Sequence, residues 1–258
     1  MDFTSSAEKY DRFMGRYTRT LAPALADAAG IEAGMRVLDV GCGPGGLTEV
    51  LAARVGADHV AAIDPAPQFA AACRERHPGA DVRVGGAEEL PWPDGSFDAT
   101  LASLVIAFMR DADRGVLEMA RVTRPGGTVA SCMWDIPGGG MTMLSTFWRA
   151  ARELDPAAVG ERARAGVAEG DIAERFRRAG LEDVVEGALD ASAEYAGFDD
   201  FWEPFTLAVG PAGEYLASLP PDRQAQLREV CRAAMPGDGA FTLSARAWYA
   251  RGTAPGAG

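Results

Sequence analysis

The sequence predicts an α/β protein: a doubly wound, mostly parallel sheet with helices on both faces. Three observations predict it. Apolar strand-like runs alternate with helical patterns from Met35 to Trp134, and the connections between them are short. The run "MRVLDV" ends in a glycine turn that opens the helix "GGLTEVLAARVG", as in sheets that bind ligands beyond the carboxyl ends of their strands. With 258 residues the chain has ample length for one large domain with its own core.

Residues 1–30 read as a helical lead-in. Tyr10, Phe13, Met14 and Tyr17 recur at i, i+3, i+4 and i+7, so one face is apolar, while Arg12, Arg16 and Arg19 fall opposite. Gly15 weakens the middle of that helix. After "MRVLDV" and its helix, "HVAAID" is a second strand, followed by a helix near "PQFAAACRERH", and "ADVRVGG" is a third strand. The "PWPDG" turn leads into a fourth, "SFDATLAS"; the helix "RGVLEMARVT" stops at "RPGG" before a fifth, "GTVASCMW". From Pro137 the alternation loosens. "GGGMTMLSTFWRAARELD" is a loop entering a helix, and "AEGDIAERFRRAGLEDVVEGAL" is a helix, a glycine stop and a strand. Residues 198–235 are helical, with aromatics in "FDDFWEPF", and "GAFTLSARAWYA" closes as a strand. The late strands need not run parallel to the first five. The tail "GTAPGAG" is expected to fray.

Charge narrows the function classes. A net charge of −12 and a pI of about 4.7 disfavour a sequence-independent grip on nucleic acid or docking on an anionic membrane. The first residues lack the basic and apolar regions of a secretory signal, and no apolar run reaches the ~18 residues of a membrane span. Cys42, Cys73, Cys132 and Cys231 show no C-x-x-C pairing and read as free thiols in a reducing cytoplasm, with no metal site.

The stretch "VLDVGCGPGG" contains G-x-G-x-x-G at Gly41, Gly43 and Gly46. Glycines let the backbone approach a ligand closely, and the following helix offers free N–H groups and a positive dipole end. Asp64 ends the second strand, where a carboxylate can accept both hydroxyls of a ribose. An adenosine-bearing ligand follows, but the loop alone leaves open a nicotinamide or flavin dinucleotide and a different adenosine cofactor. Asp39 lies within the apolar run, where a carboxylate is expensive to bury.

The surrounding residues separate these. "VLDVGCGPGGLT" resembles motif I of the class I S-adenosylmethionine-dependent methyltransferases. "AIDPAPQFAAAC" resembles the segment carrying their ribose acid, "VGGAEELPWPDGSFDAT" the segment that holds adenine, and "ARVTRPGGTVA" the helix–turn–strand before the substrate region. The motifs stand in the family's order over residues 35–134. The small-molecule members acting on ubiquinone and menaquinone precursors are the most similar. The resemblance implies a seven-stranded sheet of order 3-2-1-4-5-7-6 with strand seven antiparallel, "LEDVVEGAL" being strand six and "FTLSARAWYA" strand seven. It implies one methyltransferase domain over 1–258, with a lid over 1–30 and substrate-side helical additions at 137–180 and 191–240. Two positions depart from the family: Gly85-Gly86-Ala87 replaces the usual Gly-Asp-Ala, and Ala107 and Phe108 stand where a His pair is common.

On that resemblance the cofactor is S-adenosyl-L-methionine. Gly41, Cys42 and Gly43 form its turn, with Asp39 behind its methionine end and Asp64 on the ribose beside Pro65 and Gln68. Ala87 and Glu88 lie at adenine, and Ser103 follows strand four at the cofactor face. Tyr10 and Arg16 belong to the lid, Arg16 as a bidentate donor to a carboxylate. Tyr17, Trp134, Met141, Phe147, Phe201, Trp202 and Phe205 are candidate walls of an apolar substrate pocket. Asp135 is the acidic candidate for a catalytic base, and equally a turn residue capping "PGGG"; His59 and His77 read as surface histidines. The expected reaction is in-line methyl transfer to a small, partly apolar metabolite, driven by proximity and exclusion of water. A protein or RNA acceptor, or binding of the cofactor without methylation, are the alternatives.

Overall fold

The computed structural model describes residues 11–160, 164–208, 210–237 and 239–256. Tyr10 lies outside them. A five-residue π-helical turn, Asp11–Gly15, leads into α1 (Arg16–Ala28), so Gly15 marks a change of helix type rather than the middle of one helix. There follow β1 (Val37–Val40), α2 (Gly46–Val55), β2 (Val60–Asp64), α3 (Pro67–Arg76), β3 (Asp81–Val84), β4 (Phe97–Ser103), α4 (Ala112–Val122) and β5 (Thr123–Trp134). The later half is α5 (Thr142–Leu154), α6 (Asp171–Arg178), β6 (Glu182–Tyr195), α7 (Phe198–Thr206), α8 (Gly210–Ser218), α9 (Pro221–Ala233) and β7 (Phe241–Thr253).

The sheet order is β3-β2-β1-β4-β5-β7-β6. β1 pairs parallel with β2 and β4, β2 with β3, and β4 with β5, while β7 runs antiparallel to both β5 and β6. This is the strand order, with strand seven antiparallel, that the resemblance implied. The physical reason for a central β1 is visible in its composition: all of Val37, Leu38, Asp39 and Val40 are buried, as a strand covered on both faces requires.

Three boundaries differ from expectation. β5 starts at Thr123 and takes in "RPGG", with a register shift against β4 between Phe97 and Ala99. The Thr123 hydroxyl ties the helix end to the strand, donating to Met119 O at 2.7 Å. β6 continues beyond "EGAL" to Tyr195, because α1 satisfies its far end: Thr20 Oγ1 accepts from Ser192 N at 3.1 Å and lies 3.3 Å from Ser192 O. The start of the tail is held. Ala254 is 2 % exposed and exchanges bonds with Gly126 and Gly127, so the chain stays ordered past β7.

Candidate active site

The glycine turn joins the carboxyl end of β1 to the N-terminus of α2. Gly41, Gly43 and Gly45 hold φ of 72°, 53° and 100°, the left-handed region that glycine adopts without a Cβ clash. Their surroundings differ. A Cβ on Gly41 would lie 2.4 Å from a Val105 methyl, one on Gly45 2.8 Å from the His77 ring, and one on Gly46 2.5 Å from Thr18 Cγ2. A Cβ on Gly43 would meet nothing within 4 Å. Three of these glycines therefore admit the chain's own side chains, and Gly43 is the one left open to a ligand. His77 is half-buried, with Nε2 3.2 Å from Gly45 O, and so belongs to this turn rather than to the surface.

Two buried carboxylates support the turn. Asp39, 1 % exposed, accepts from Thr48 Oγ1 at 2.7 Å. Burial pushes its pKa up to about 7, with the nearby Asp64 charge acting in the same direction. Asp64 Oδ2 accepts from Gly43 N at 2.9 Å, and Oδ1 from Ala66 N at 2.8 Å. Desolvation raises its pKa, and the two backbone donors work against that rise. Each Asp64 oxygen retains a second lone pair for a ligand hydroxyl. The N-cap residue of α2, Gly45, offers no side-chain cap; the Thr48 N–H is directed to the Asp39 carboxylate, and the Gly46 and Leu47 N–H groups face the turn.

A cavity of about 590 Å³ opens over this turn. Asp39, Gly41, Cys42, Gly43, Gly46, Leu47, Ser103 and Leu104 line it from the sheet side, and Asp11, Thr18, Arg19 and Arg76 from the lead-in and α3. Leu104 holds φ of 62°, a strained conformation for a residue with a Cβ, directly after β4. Arg76 donates to Pro44 O at 3.1 Å and pairs with Asp11 at 2.7 Å, closing one side. Open space at Gly43, a buried acid and a guanidinium in one cavity suit a ligand that carries both a cation and a carboxylate.

The lead-in helix is placed as a wall of this cavity, with different residues in the roles expected of it. Arg16 is bidentate, but to Asp200, at 3.2 and 2.9 Å, and it also donates to Glu194 O and lies 4.4 Å from the centre of the Tyr195 ring. Asp200 is held below the usual carboxylate range by that guanidinium. Arg19, one turn on, faces the cavity, and no hydrogen bond or ion pair holds it among the described residues. Tyr17 is fully buried, with its hydroxyl 3.0 Å from that of Tyr195; burial pushes its pKa up to about 12. Periodicity puts Arg12, Arg16 and Arg19 on one stripe, and it carries no signal that separates them.

The remaining candidates divide. Pro65 and Gln68 sit at the exposed start of α3 beside Asp64. Ala87 is buried, and Glu88 Oε1 accepts from Arg110 N at 2.7 Å. Asp135 Oδ1 accepts from Gly138 N at 2.8 Å, and a Cβ on Gly138 or Gly140 would collide with the Asp135 carboxylate, so this residue caps the "PGGG" turn. Phe147, Phe201, Trp202 and Phe205 pack against one another, with the Phe147 and Phe205 rings stacked at 4.6 Å; Met141 is buried in the same core, and none of the five lines the cavity over the glycine turn. Trp134 meets Tyr17 edge-on at 5.9 Å, and its buried Nε1 has no partner among the described residues.

Comparison with known proteins agrees with this fold. Residues 38–131 match the family model described as a methyltransferase domain. An uncharacterized protein of Mycobacterium tuberculosis is 32 % identical over 227 residues, which cover 82 % of this chain and 80 % of that protein. A malonyl-[acyl-carrier protein] O-methyltransferase of Erwinia billingiae is 32 % identical over 127 residues, 49 % of each chain. Among solved structures, phosphoethanolamine N-methyltransferase 2 of Haemonchus contortus, complexed with phosphomonomethylethanolamine and S-adenosylhomocysteine, shares the fold with a TM-score of 0.57 at 18 % identity, over 96 % of this chain and 57 % of that one. The chain belongs to the class I S-adenosylmethionine-dependent methyltransferases.

Proposed function

We propose that this enzyme methylates a small, partly apolar molecule whose acceptor atom arrives with its lone pair free. The cavity over Gly43 is the observation that carries the reading. S-adenosylmethionine, when bound, supplies an activated methyl on a sulfonium. The chain's residues bind and orient it: Asp64 and the N–H groups at the start of α2 at the sugar and the turn, Asp39 behind the cationic end, and Arg19 at the carboxylate. The backbone near Ala87 and Glu88 lies at adenine, since Gly86 offers no side-chain acceptor. Pro65, Gln68, Cys42 and Ser103 complete the cradle. Tyr17 and Arg16 act at one remove, as a latch that fixes the lead-in helix over the site.

Acceptor chemistry follows from what the cavity offers. Among the described residues that line it there is no histidine, and Asp135 is engaged in its turn. Rate then comes from alignment and from excluding water, which suffices for a carboxylate, an amine or a thiolate. The relative from Erwinia billingiae, named for O-methylation of a malonyl group, supports a carboxylate. A net charge of −12 supports a small metabolite over nucleic acid. Thermal-shift scans with S-adenosylmethionine, S-adenosylhomocysteine, NAD and NADP are expected to show stabilisation by the first two alone. A tritiated-methyl assay over metabolite extract fractions is expected to label a low-molecular-weight acid or amine. Label recovered only in RNA or protein would overturn the small-molecule reading.

A further inference from the structure

Glu118, on α4, is a charge buried away from the glycine turn, with 3 % of its surface exposed. An isolated buried carboxylate is costly, so its partners define what it is for. Arg114, Glu118 and Arg121 fall at i, i+4 and i+7, one face of the helix. Glu118 Oε1 accepts from Arg114 Nη2 at 3.0 Å and Arg121 Nε at 3.0 Å, and Oε2 from Arg121 Nη2 at 2.7 Å. The Arg121 guanidinium holds the Glu118 carboxyl below its usual range, so the trio is ionised at neutral pH.

This trio grips one short stretch of backbone. Leu90 N donates to Glu118 Oε2 at 2.9 Å. Arg114 Nε donates to Glu88 O at 3.3 Å, Arg121 Nη2 to Leu90 O at 2.9 Å, and Arg121 Nη1 to Trp92 O at 3.0 Å. Carbonyls 88, 90 and 92 are thus all fixed from one helix face. The segment between Gly86 and Pro93 belongs to no strand or helix and has no ladder of its own. A backbone that must present donors and acceptors to a ring edge needs placement to a few tenths of an ångström. Charge-assisted bonds from a rigid helix supply that placement.

We propose that Glu118, with Arg114 and Arg121, anchors the 88–92 backbone and so positions the adjoining backbone N–H and C=O groups at Ala87 and Glu88 that distinguish the adenine edge of the cofactor from that of other purines. The proposal rests on the assignment of this segment to adenine. The three side chains are positioning residues: they act through the loop, and the test has to separate placement from stability.

Calorimetric titration of the full chain with S-adenosylhomocysteine and with S-inosylhomocysteine, which differ at the amine position of the ring, makes that separation. The unsubstituted protein is expected to favour the adenosyl ligand by about tenfold, the value of one well-placed hydrogen bond. Glu118→Gln is expected to weaken the adenosyl ligand by about tenfold and the inosyl ligand little, so that the ratio falls toward one. Arg121→Lys keeps the charge without the fork and is expected to lie between. If Glu118→Gln does not fold, Arg114→Gln, whose parent side chain is 54 % exposed, carries the same comparison with a smaller change in ratio. Equal weakening of both ligands, or none, would overturn the proposal. An unsubstituted protein that binds both ligands equally would also overturn it, while leaving the methyltransferase assignment standing. Failure to bind S-adenosylhomocysteine at all would instead strike at the cofactor site itself.

Discussion

The two halves of the sheet bury different things. From Val37 to Trp134, the interior holds Asp39, Thr48, Asp64, Thr100, Glu118, Thr123 and Ser131, each bonded to a backbone group or a neighbouring side chain. From Asp135 onward the interior is largely aromatic: Phe147, Trp148, Phe198, Phe201, Trp202 and Phe205 pack edge-on or stacked, joined by Tyr195 from β6. Polar burial is tolerated only where geometry satisfies every group, so the first half is tied to one arrangement of loops. Aromatic packing instead fixes ring angles and needs few hydrogen-bond partners. The difference is one of constraint: the first half fixes its buried groups through specific hydrogen bonds around the glycine turn, and the second half through the shapes of its rings.

The comparison breaks most readily at Gly41. Gly41→Ala forces a Cβ onto Val105 in a left-handed backbone, and is expected to cost about 3 kcal/mol of stability. Gly43→Ala, with open space around it, is expected to cost about 1 kcal/mol of stability and to lose cofactor binding. Denaturant unfolding beside ligand titration checks both. Two variants with the same loss of stability would show that the turn is not divided between packing and ligand.

Asp39 sharpens the comparison through pH. Its folded pKa of about 7 lies above its ordinary value, so the unfolded chain releases this proton first and stability falls as pH rises from about 4 to 7. Asn at this position can still accept from Thr48 but cannot ionise. Asp39→Asn is therefore expected to be more stabilising at pH 8 than at pH 5, by about 2–3 kcal/mol, or roughly 5–10 °C in Tm. An equal Tm difference at the two pH values would refute the assignment of this shift to Asp39.

Smaller effects are expected at the ribose and at the latch. Asp64→Ala removes a charged acceptor and the partner of Gly43 N, and should weaken S-adenosylhomocysteine at least about tenfold by calorimetry. Unchanged affinity would remove Asp64 from the site. Tyr17→Phe should cost about 1 kcal/mol in urea unfolding, by leaving the buried Tyr195 hydroxyl without its partner. It should leave the cofactor affinity near that of the unsubstituted protein if Tyr17 acts only in the latch. A large loss of affinity would move Tyr17 into the site.

What the sequence determined by itself was everything whose cause is local or periodic. Alternating apolar runs specify the strands and helices of a parallel sheet, and the glycines at 41 and 43 specify a backbone no other residue adopts easily. Asp64 was legible because the end of the second strand places it, and the motif order from Val37 to Ala130 is a one-dimensional signal. What only tertiary structure decided was which of several equivalent residues meets which neighbour. Arg12, Arg16 and Arg19 share a stripe, yet Asp200 takes Arg16 and the cavity takes Arg19, because α7 lies against one end of the lead-in and the glycine turn against the other. Phe147 and Phe205 have the composition of a pocket wall and pack as core. His77 and Glu118 matter through the backbone they touch, and contacts between residues 28 or 32 positions apart leave no periodic trace in the chain. Local conformational preference is encoded residue by residue, whereas the partner of a side chain depends on where every other element comes to rest.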